Sequence, residues 1–115
     1  IRYLRAATGL PVIKAVRVRT AADILRAEDL PADYLLLDTY VPGVLGGSGS
    51  RFDWSLISAM KKPFFLAGGL CEENLKEALR LRAFCRDISS GAETDGRKDP
   101  IKIKRIVEQI RKEGI

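Results

Sequence analysis

Short apolar runs alternate with amphipathic stretches along this chain, four times in succession. Each apolar run has the length and β-branched or leucine-rich character of a buried strand, and each amphipathic stretch repeats its apolar positions at helical spacing. The predicted strands are Val12–Val18, Tyr34–Thr39, Pro63–Ala67 and Phe84–Ser89. The predicted helices begin after Thr20, at the cap Asp53, at Glu72 (through Arg82) and at the pair Asp99-Pro100, and residues 1–8 look like the last turns of a helix ended by Gly9. Strands and helices in this order predict an α/β fold with a parallel sheet, either doubly wound or a (β/α) barrel.

Polar residues follow three of these strands where the strands end. The second strand ends in Asp38, the third in Gly68-Gly69, and the fourth in Asp87-Ile88-Ser89-Ser90-Gly91. Both candidate folds place their chemistry at the carboxyl ends of the parallel strands. We therefore expect these residues to lie on one rim and to form one site.

The Gly68-Gly69 pair is a candidate phosphate site. Two glycines let the main chain approach an oxygen-rich group closely, and the predicted helix start that follows adds free N–H groups. Barrels commonly bind phosphate in the loops after their last two strands, which makes Ser89, Ser90 and Gly91 the natural second wall. A long loop from Tyr40 to Phe52 lies between the second strand and Asp53, and connections of this length are usually functional or disordered.

Composition excludes several classes of protein. The 115 residues, 46% hydrophobic and 30% charged, fit one globular domain. The net charge of +5 is spread along the chain without the basic stripe that nucleic-acid binding uses. Histidine is absent and the two cysteines have no metal-ligand spacing, so neither a metal site nor a Ser-His-Asp triad is expected. No apolar run approaches the length of a membrane span and no signal peptide is seen, which predicts a cytoplasmic protein.

Taken together, the motifs resemble the phosphoribosylanthranilate isomerase family of tryptophan biosynthesis. They occur in family order and spacing along nearly the whole chain. They are Val12-Ile13-Lys14-Ala15-Val16, Leu35-Leu36-Leu37-Asp38-Thr39, Gly46-Gly47-Ser48-Gly49 with Phe52-Asp53-Trp54, Leu66-Ala67-Gly68-Gly69-Leu70 with Glu73-Asn74, and Asp87-Ile88-Ser89-Ser90-Gly91-Ala92-Glu93 with Gly96-Arg97-Lys98-Asp99. Indole-glycerol-phosphate synthase, another phosphate-binding barrel enzyme, would share the phosphate loops but not the Gly46 to Trp54 motif.

The resemblance implies a (β/α)8 TIM barrel enzyme that needs no cofactor. Its reaction is an Amadori rearrangement, in which a general acid opens the furanose ring of N-(5'-phosphoribosyl)anthranilate and a general base removes the C2' proton. The family's acid ends the sixth strand and matches Asp38, and its phosphate loops match Gly68, Gly69, Ser89, Ser90 and Gly91. Asp87 and Gly47 are expected to contact the substrate.

The resemblance also implies that half of the barrel is missing. The family's base is a cysteine in a Lys-Ile-Cys-Gly motif on the first strand, and this sequence contains no such region. Cys71 is not expected to replace it, because the matching position lies on the phosphate side. We therefore expect residues 1–115 to form the C-terminal half of a single barrel domain, strands five to eight, beginning within the helix before strand five.

Such a half has open edges and an uncovered apolar face, so it is expected to need a partner. The expected partners are a phosphorylated small-molecule substrate and an N-terminal half-barrel, in cis or in trans; nucleic acid and membrane are not expected. Alone, the segment is expected to turn over negligibly. The rival interpretation is a noncatalytic half-barrel that binds phosphate or assembles into a homodimer.

Overall fold

The computed structural model describes residues 1–39 and 53–113, which form an α/β structure. Its elements alternate as the sequence predicts. In chain order they are α1 (Arg2–Thr8), β1 (Ile13–Val18), α2 (Ala21–Glu28), β2 (Tyr34–Thr39), a 3-10 helix (Trp54–Ala59), β3 (Phe64–Leu66), α3 (Glu72–Ala78), β4 (Cys85–Arg86), β5 (Glu93–Thr94), β6 (Arg97–Lys98) and α4 (Pro100–Lys112).

The four strands β1 to β4 form one parallel sheet in sequence order. Leu36 in β2 pairs with Ala15 on one side and with Phe65 on the other, and Phe65 pairs in turn with Cys85. Because all four strands run in the same direction, their carboxyl ends meet at one edge of the sheet. The predicted parallel α/β fold is confirmed.

One face of the sheet is buried under the helices. Leu35 and Leu37 of β2 and Leu66 of β3 have no exposed surface, and Phe64 is also buried. These residues occupy alternate positions, as expected for side chains that leave a strand on the same face. They pack with residues of α2 and the 3-10 helix, among them Ile24, Ala27, Trp54 and Ile57, to form the main core.

The opposite face carries large apolar side chains that remain accessible. Tyr34, Phe65 and Phe84 form an aromatic cluster, with ring centroids 5.0 to 6.0 Å apart. Phe84 is 62% exposed and Ile13, at the start of β1, is 49% exposed. We call this surface the open face. Residues with this character are usually buried.

The helices differ from the prediction in two places. The segment after Asp53 is a 3-10 helix, although Asp53 caps it as expected by accepting a hydrogen bond from the Ser55 N–H at 3.0 Å. Helix α3 ends at Ala78 rather than at Arg82, because the next residues close tighter turns: the Arg80 N–H donates to Glu77 and the Leu81 N–H to Ala78, each three residues back. In α4, Ile106 is buried, whereas Ile103 and Val107, which lie at helical spacing with it, are 41% and 39% exposed.

The region of the fourth strand also differs. Strand β4 contains only Cys85–Arg86, but ladder hydrogen bonds from the Phe84 and Asp87 N–H groups to β3 continue the pairing on either side. The sequence analysis predicts no element between Ser89 and Asp99, but this segment contains the hairpin β5–β6. Its turn is Asp95-Gly96, and this dipeptide is a strong signal for a two-residue hairpin turn.

Candidate active site

A cavity of about 300 Å³ lies at the carboxyl edge of the sheet. It brings together six of the residues that the sequence analysis selected, from the ends of three neighbouring strands. The lining residues are Leu36, Asp38, Ala67, Gly68, Gly69, Leu70, Asp87, Ser89 and Ser90. The strand ends therefore meet at one rim and line one cavity, and their role as one functional site stays a prediction.

Asp38 supplies the carboxylate on the β2 side of this cavity. It lies two residues after Leu36 and therefore leaves β2 on the same face, and it is half-buried. Arg17 of β1 is its register partner, so a cation occupies the neighbouring strand position. A half-buried carboxylic group beside a cavity can deliver a proton to a bound oxygen.

The loop after β3 forms the middle of the cavity. Both Gly68 and Gly69 have left-handed backbone angles, with φ of 83° and 74°, a conformation that glycine adopts without a steric penalty. Asn74, in the first turn of α3, donates from Nδ2 to the Gly69 carbonyl at 2.8 Å. The sequence analysis quoted Asn74 only as part of a motif and did not identify this contact.

The loop after β4 forms the third wall. It is a compact turn in which the Ala92 N–H donates to the Ser89 carbonyl at 3.1 Å and the Glu93 N–H to the Ser90 carbonyl at 3.0 Å. The ammonium group of Lys98 donates to the same Ser89 carbonyl at 2.9 Å. Lys98 also lies 3.4 Å from the Ser89 hydroxyl and forms an ion pair with Glu93. The hairpin thus brings a cation to a wall of the cavity, which the sequence analysis missed.

Gly91 is not among the residues that line the cavity. It forms an isolated parallel bridge with Cys71, and this bridge joins the loop after β4 to the loop after β3. A Cβ atom at Gly91 would lie 1.8 Å from the Leu70 carbonyl oxygen. The structure therefore gives Gly91 a packing role between the two loops. The other predicted contact, Gly47, lies outside the described residues.

The pKa of the Cys71 thiol is shifted away from what an activated base needs. Burial, followed by its hydrogen bond to Glu73, raises the pKa of the Cys71 thiol, and the same hydrogen bond lowers the pKa of Glu73. A thiol with a raised pKa is mostly protonated near neutral pH. The shift therefore disfavours the thiolate, which is the form of Cys71 that would act as a base.

Two further observations concern metal ligands and membrane spans among the described residues. Within residues 1–39 and 53–113, no three His, Cys, Asp or Glu side chains are grouped so that they could hold a metal ion. Over the same ranges, no helix is long and apolar enough to cross a bilayer.

Sequence comparison identifies the family. The profile described as N-(5'-phosphoribosyl)anthranilate (PRA) isomerase matches residues 2–109. The chain belongs to this isomerase family. Among curated members, the chain is 47% identical over 102 residues to the N-(5'-phosphoribosyl)anthranilate isomerase of Endomicrobium trichonymphae, and 45% identical over 109 residues to that of Pseudomonas paraeruginosa. These alignments cover 88% and 90% of this chain but 50% and 52% of the relatives.

Solved structures of the family agree. The isomerase of Thermotoga maritima superposes with a TM-score of 0.78 at 36% identity, over 96% of this chain and 56% of that one. Another family structure, described as a complex with reduced 1-(o-carboxyphenylamino)-1-deoxyribulose 5-phosphate, gives a TM-score of 0.73 at 33% identity, over 96% of this chain and 53% of that one. The chain therefore spans about half the length of the family members that it matches.

Proposed function

We propose that this chain supplies the C-terminal (β/α)4 half, residues 1–115, of a single (β/α)8 barrel domain. The complete barrel isomerises N-(5'-phosphoribosyl)anthranilate to its 1-deoxyribulose 5-phosphate product in tryptophan biosynthesis. The observation that carries this proposal is the single cavity in which Asp38 shares the walls with Gly68, Gly69, Ser89 and Ser90. Family membership supports this choice of reaction, and a cytoplasmic location remains a prediction.

In the proposed reaction, Asp38 is the general acid. It donates its proton to the furanose ring oxygen as the C1'–O bond breaks, and the nitrogen lone pair forms the Schiff base. A base then removes the C2' proton, and those electrons give the enolamine, which tautomerises to the aminoketose. The loops at Gly68-Gly69 and Ser89-Ser90 hold the substrate phosphate. The sugar is thereby placed between the phosphate and the acid, which converts the proton transfer into an intramolecular step.

The base is expected on a second half-barrel. Two observations support a missing half. The chain matches about half of each relative, and the open face leaves Phe84 exposed and Tyr34 and Phe65 partly exposed, where a barrel would enclose them. Closing a barrel on this face would bury Tyr34, Phe65 and Phe84. Each Å² of apolar surface removed from water stabilises the barrel by about 25 cal/mol. The N-terminal half-barrel, in cis or in trans, is therefore the proposed partner.

The test is the substitution Asp38→Asn in the assembled barrel, made by joining this chain to the N-terminal half-barrel of the Endomicrobium trichonymphae relative. Asparagine keeps the shape of aspartate but cannot donate a carboxylic proton. We expect turnover, followed by proton NMR of the substrate, to fall at least about a hundredfold while KM changes little. Asp29→Asn, at an exposed carboxylate outside the cavity, is the matched control and should leave turnover unchanged. Turnover retained by the Asp38 variant would refute the assignment.

The open face also supports a second candidate, a noncatalytic homodimer that buries this face against its own copy. One family structure is described as that of monomers derived from a dimeric isomerase, which is a statement about that protein alone. Sedimentation of the chain with and without the N-terminal half distinguishes the candidates. A stable symmetric dimer that excludes the added half and gains no activity would favour the homodimer.

A further inference from the structure

We propose that Asn74 is a positioning residue for the phosphate site, and that it sets the orientation of the Gly69–Leu70 peptide. This inference rests on the proposed function, because it takes the cavity wall at Gly68-Gly69 as the place where the substrate phosphate binds. Asn74 is not in the cavity lining, and we assign it no contact with the substrate.

The loop after β3 needs an external constraint. Two consecutive residues, Gly68 and Gly69, lie in the left-handed region, and glycine has the widest choice of backbone conformations of any residue. Fixing such a residue in one conformation costs conformational entropy. Each contact that holds this loop therefore reduces the number of peptide orientations that it samples.

Asn74 provides that constraint with both ends of its amide. Its Oδ1 accepts from the Cys71 N–H at 3.0 Å, and its Nδ2 donates to the Gly69 carbonyl at 2.8 Å. Because an N–H can only donate and a carbonyl can only accept, one orientation of the amide satisfies both contacts. The half-buried side chain thus links the start of α3 to the loop.

This bond determines which group the peptide presents to the cavity. In a trans peptide the C=O and N–H point in opposite directions, so holding the Gly69 carbonyl toward Asn74 directs the Leu70 N–H away from it. Both Gly69 and Leu70 line the cavity. In this proposal the Leu70 N–H is the group that faces the cavity. A rotated peptide would present a carbonyl oxygen there instead, and a carbonyl oxygen repels phosphate.

The two bonds can be separated by substitution. Asn74→Asp keeps an oxygen for the Cys71 N–H, so the helix start is preserved, but it loses the donor to Gly69. Asn74→Ala loses both bonds. A purely structural role predicts that the alanine variant is less stable and that the aspartate variant resembles wild type.

The experiment uses the assembled barrel and inorganic phosphate as a competitive inhibitor. We expect both variants to bind phosphate about tenfold more weakly, the equivalent of one hydrogen bond, and KM to rise by a similar factor while kcat stays within about threefold. Repeating the aspartate variant at about 1 M salt, where the Debye length is about 3 Å, tests whether the added charge is responsible. The loss of phosphate affinity should persist at this salt concentration.

Three results would overturn the inference. The first is an aspartate variant that binds phosphate as tightly as wild type. The second is a loss of phosphate affinity that disappears at high salt. The third is a wild-type barrel that does not bind phosphate. Failure of the proposed function is seen separately. A wild-type barrel that binds phosphate but does not turn over the substrate contradicts the isomerase assignment, and the affinities of the Asn74 variants still decide the role of that residue.

Discussion

Gly91→Ala tests the junction between the two proposed phosphate loops. A Cβ atom at this position would lie 1.8 Å from the Leu70 carbonyl oxygen, 2.8 Å from its carbonyl carbon and 2.9 Å from Cys71 Cα. All three are backbone atoms, so no side-chain rotation can relieve the contact. Since relaxed contacts between heavy atoms lie near 3.5 Å, the loops after β3 and β4 must separate by roughly 1–2 Å.

That displacement has two measurable effects. Overpacking of this kind costs typically about 1–3 kcal/mol, which urea unfolding of the assembled barrel measures directly. The bridge between Cys71 and Gly91 should break, so the cavity walls at Gly69 and Ser89 move apart and phosphate affinity falls. We expect an increase of at least about tenfold in the inhibition constant of inorganic phosphate, because a misplacement of this size can cost about a hundredfold in function.

Gly96→Ala is the control for the general cost of replacing a glycine. A Cβ there meets nothing within 4 Å, but its φ of 77° is strained for alanine. It should cost about 1–2 kcal/mol through backbone strain. The reasoning is refuted if Gly91→Ala keeps wild-type stability and phosphate affinity, or if both variants lose phosphate affinity equally.

Two further predictions concern acid stability and assembly. The Val12 N–H, and then the Arg5 guanidinium, lower the pKa of Asp33. The stabilisation of the fold that results is complete above the unfolded-state pKa of about 4 and is lost as the pH falls through the folded-state pKa. Asp33→Asn should therefore flatten the acid limb of a plot of unfolding free energy against pH, and an unchanged limb would contradict this prediction. Phe84→Asp, on the open face, should weaken association with the N-terminal half-barrel, as measured by sedimentation. The control Leu25→Asp, at a 67% exposed position on α2, should not weaken it. Equal association of the two variants would contradict the proposed interface.

Much of the fold was predictable because the pattern of this chain is consistent at several levels. The leucines before Asp38 predict a strand buried within a parallel sheet, and β2 has the predicted bounds. Pro100 after the cap Asp99 correctly predicts the start of α4, where Asp99 accepts from the Ile101 N–H. Strand ends that carry Asp38 and Gly68-Gly69 meet at one rim because parallel strands require it.

The remaining features depend on contacts that sequence periodicity does not encode. The early end of α3 follows from tight turns after Ala78, whereas the apolar spacing continues past it. Ile103 and Val107 belong to the helical pattern of α4, yet this chain alone does not bury them. Asn74 and Lys98 donate to backbone carbonyls five and nine residues earlier in the chain, and a motif gives only the identity of these side chains.

The central proposal is that this chain carries only part of the active site. Its most direct test is a titration of this chain with the N-terminal half-barrel of the Endomicrobium trichonymphae relative, supplied as a separate chain. Conversion of N-(5'-phosphoribosyl)anthranilate is followed by proton NMR, and assembly is followed by sedimentation in the same samples. We predict negligible turnover by either half alone and turnover that rises with the fraction assembled. Assembly without turnover, or full turnover by this chain alone, would contradict the proposal that it carries the acid and the phosphate site but not the base.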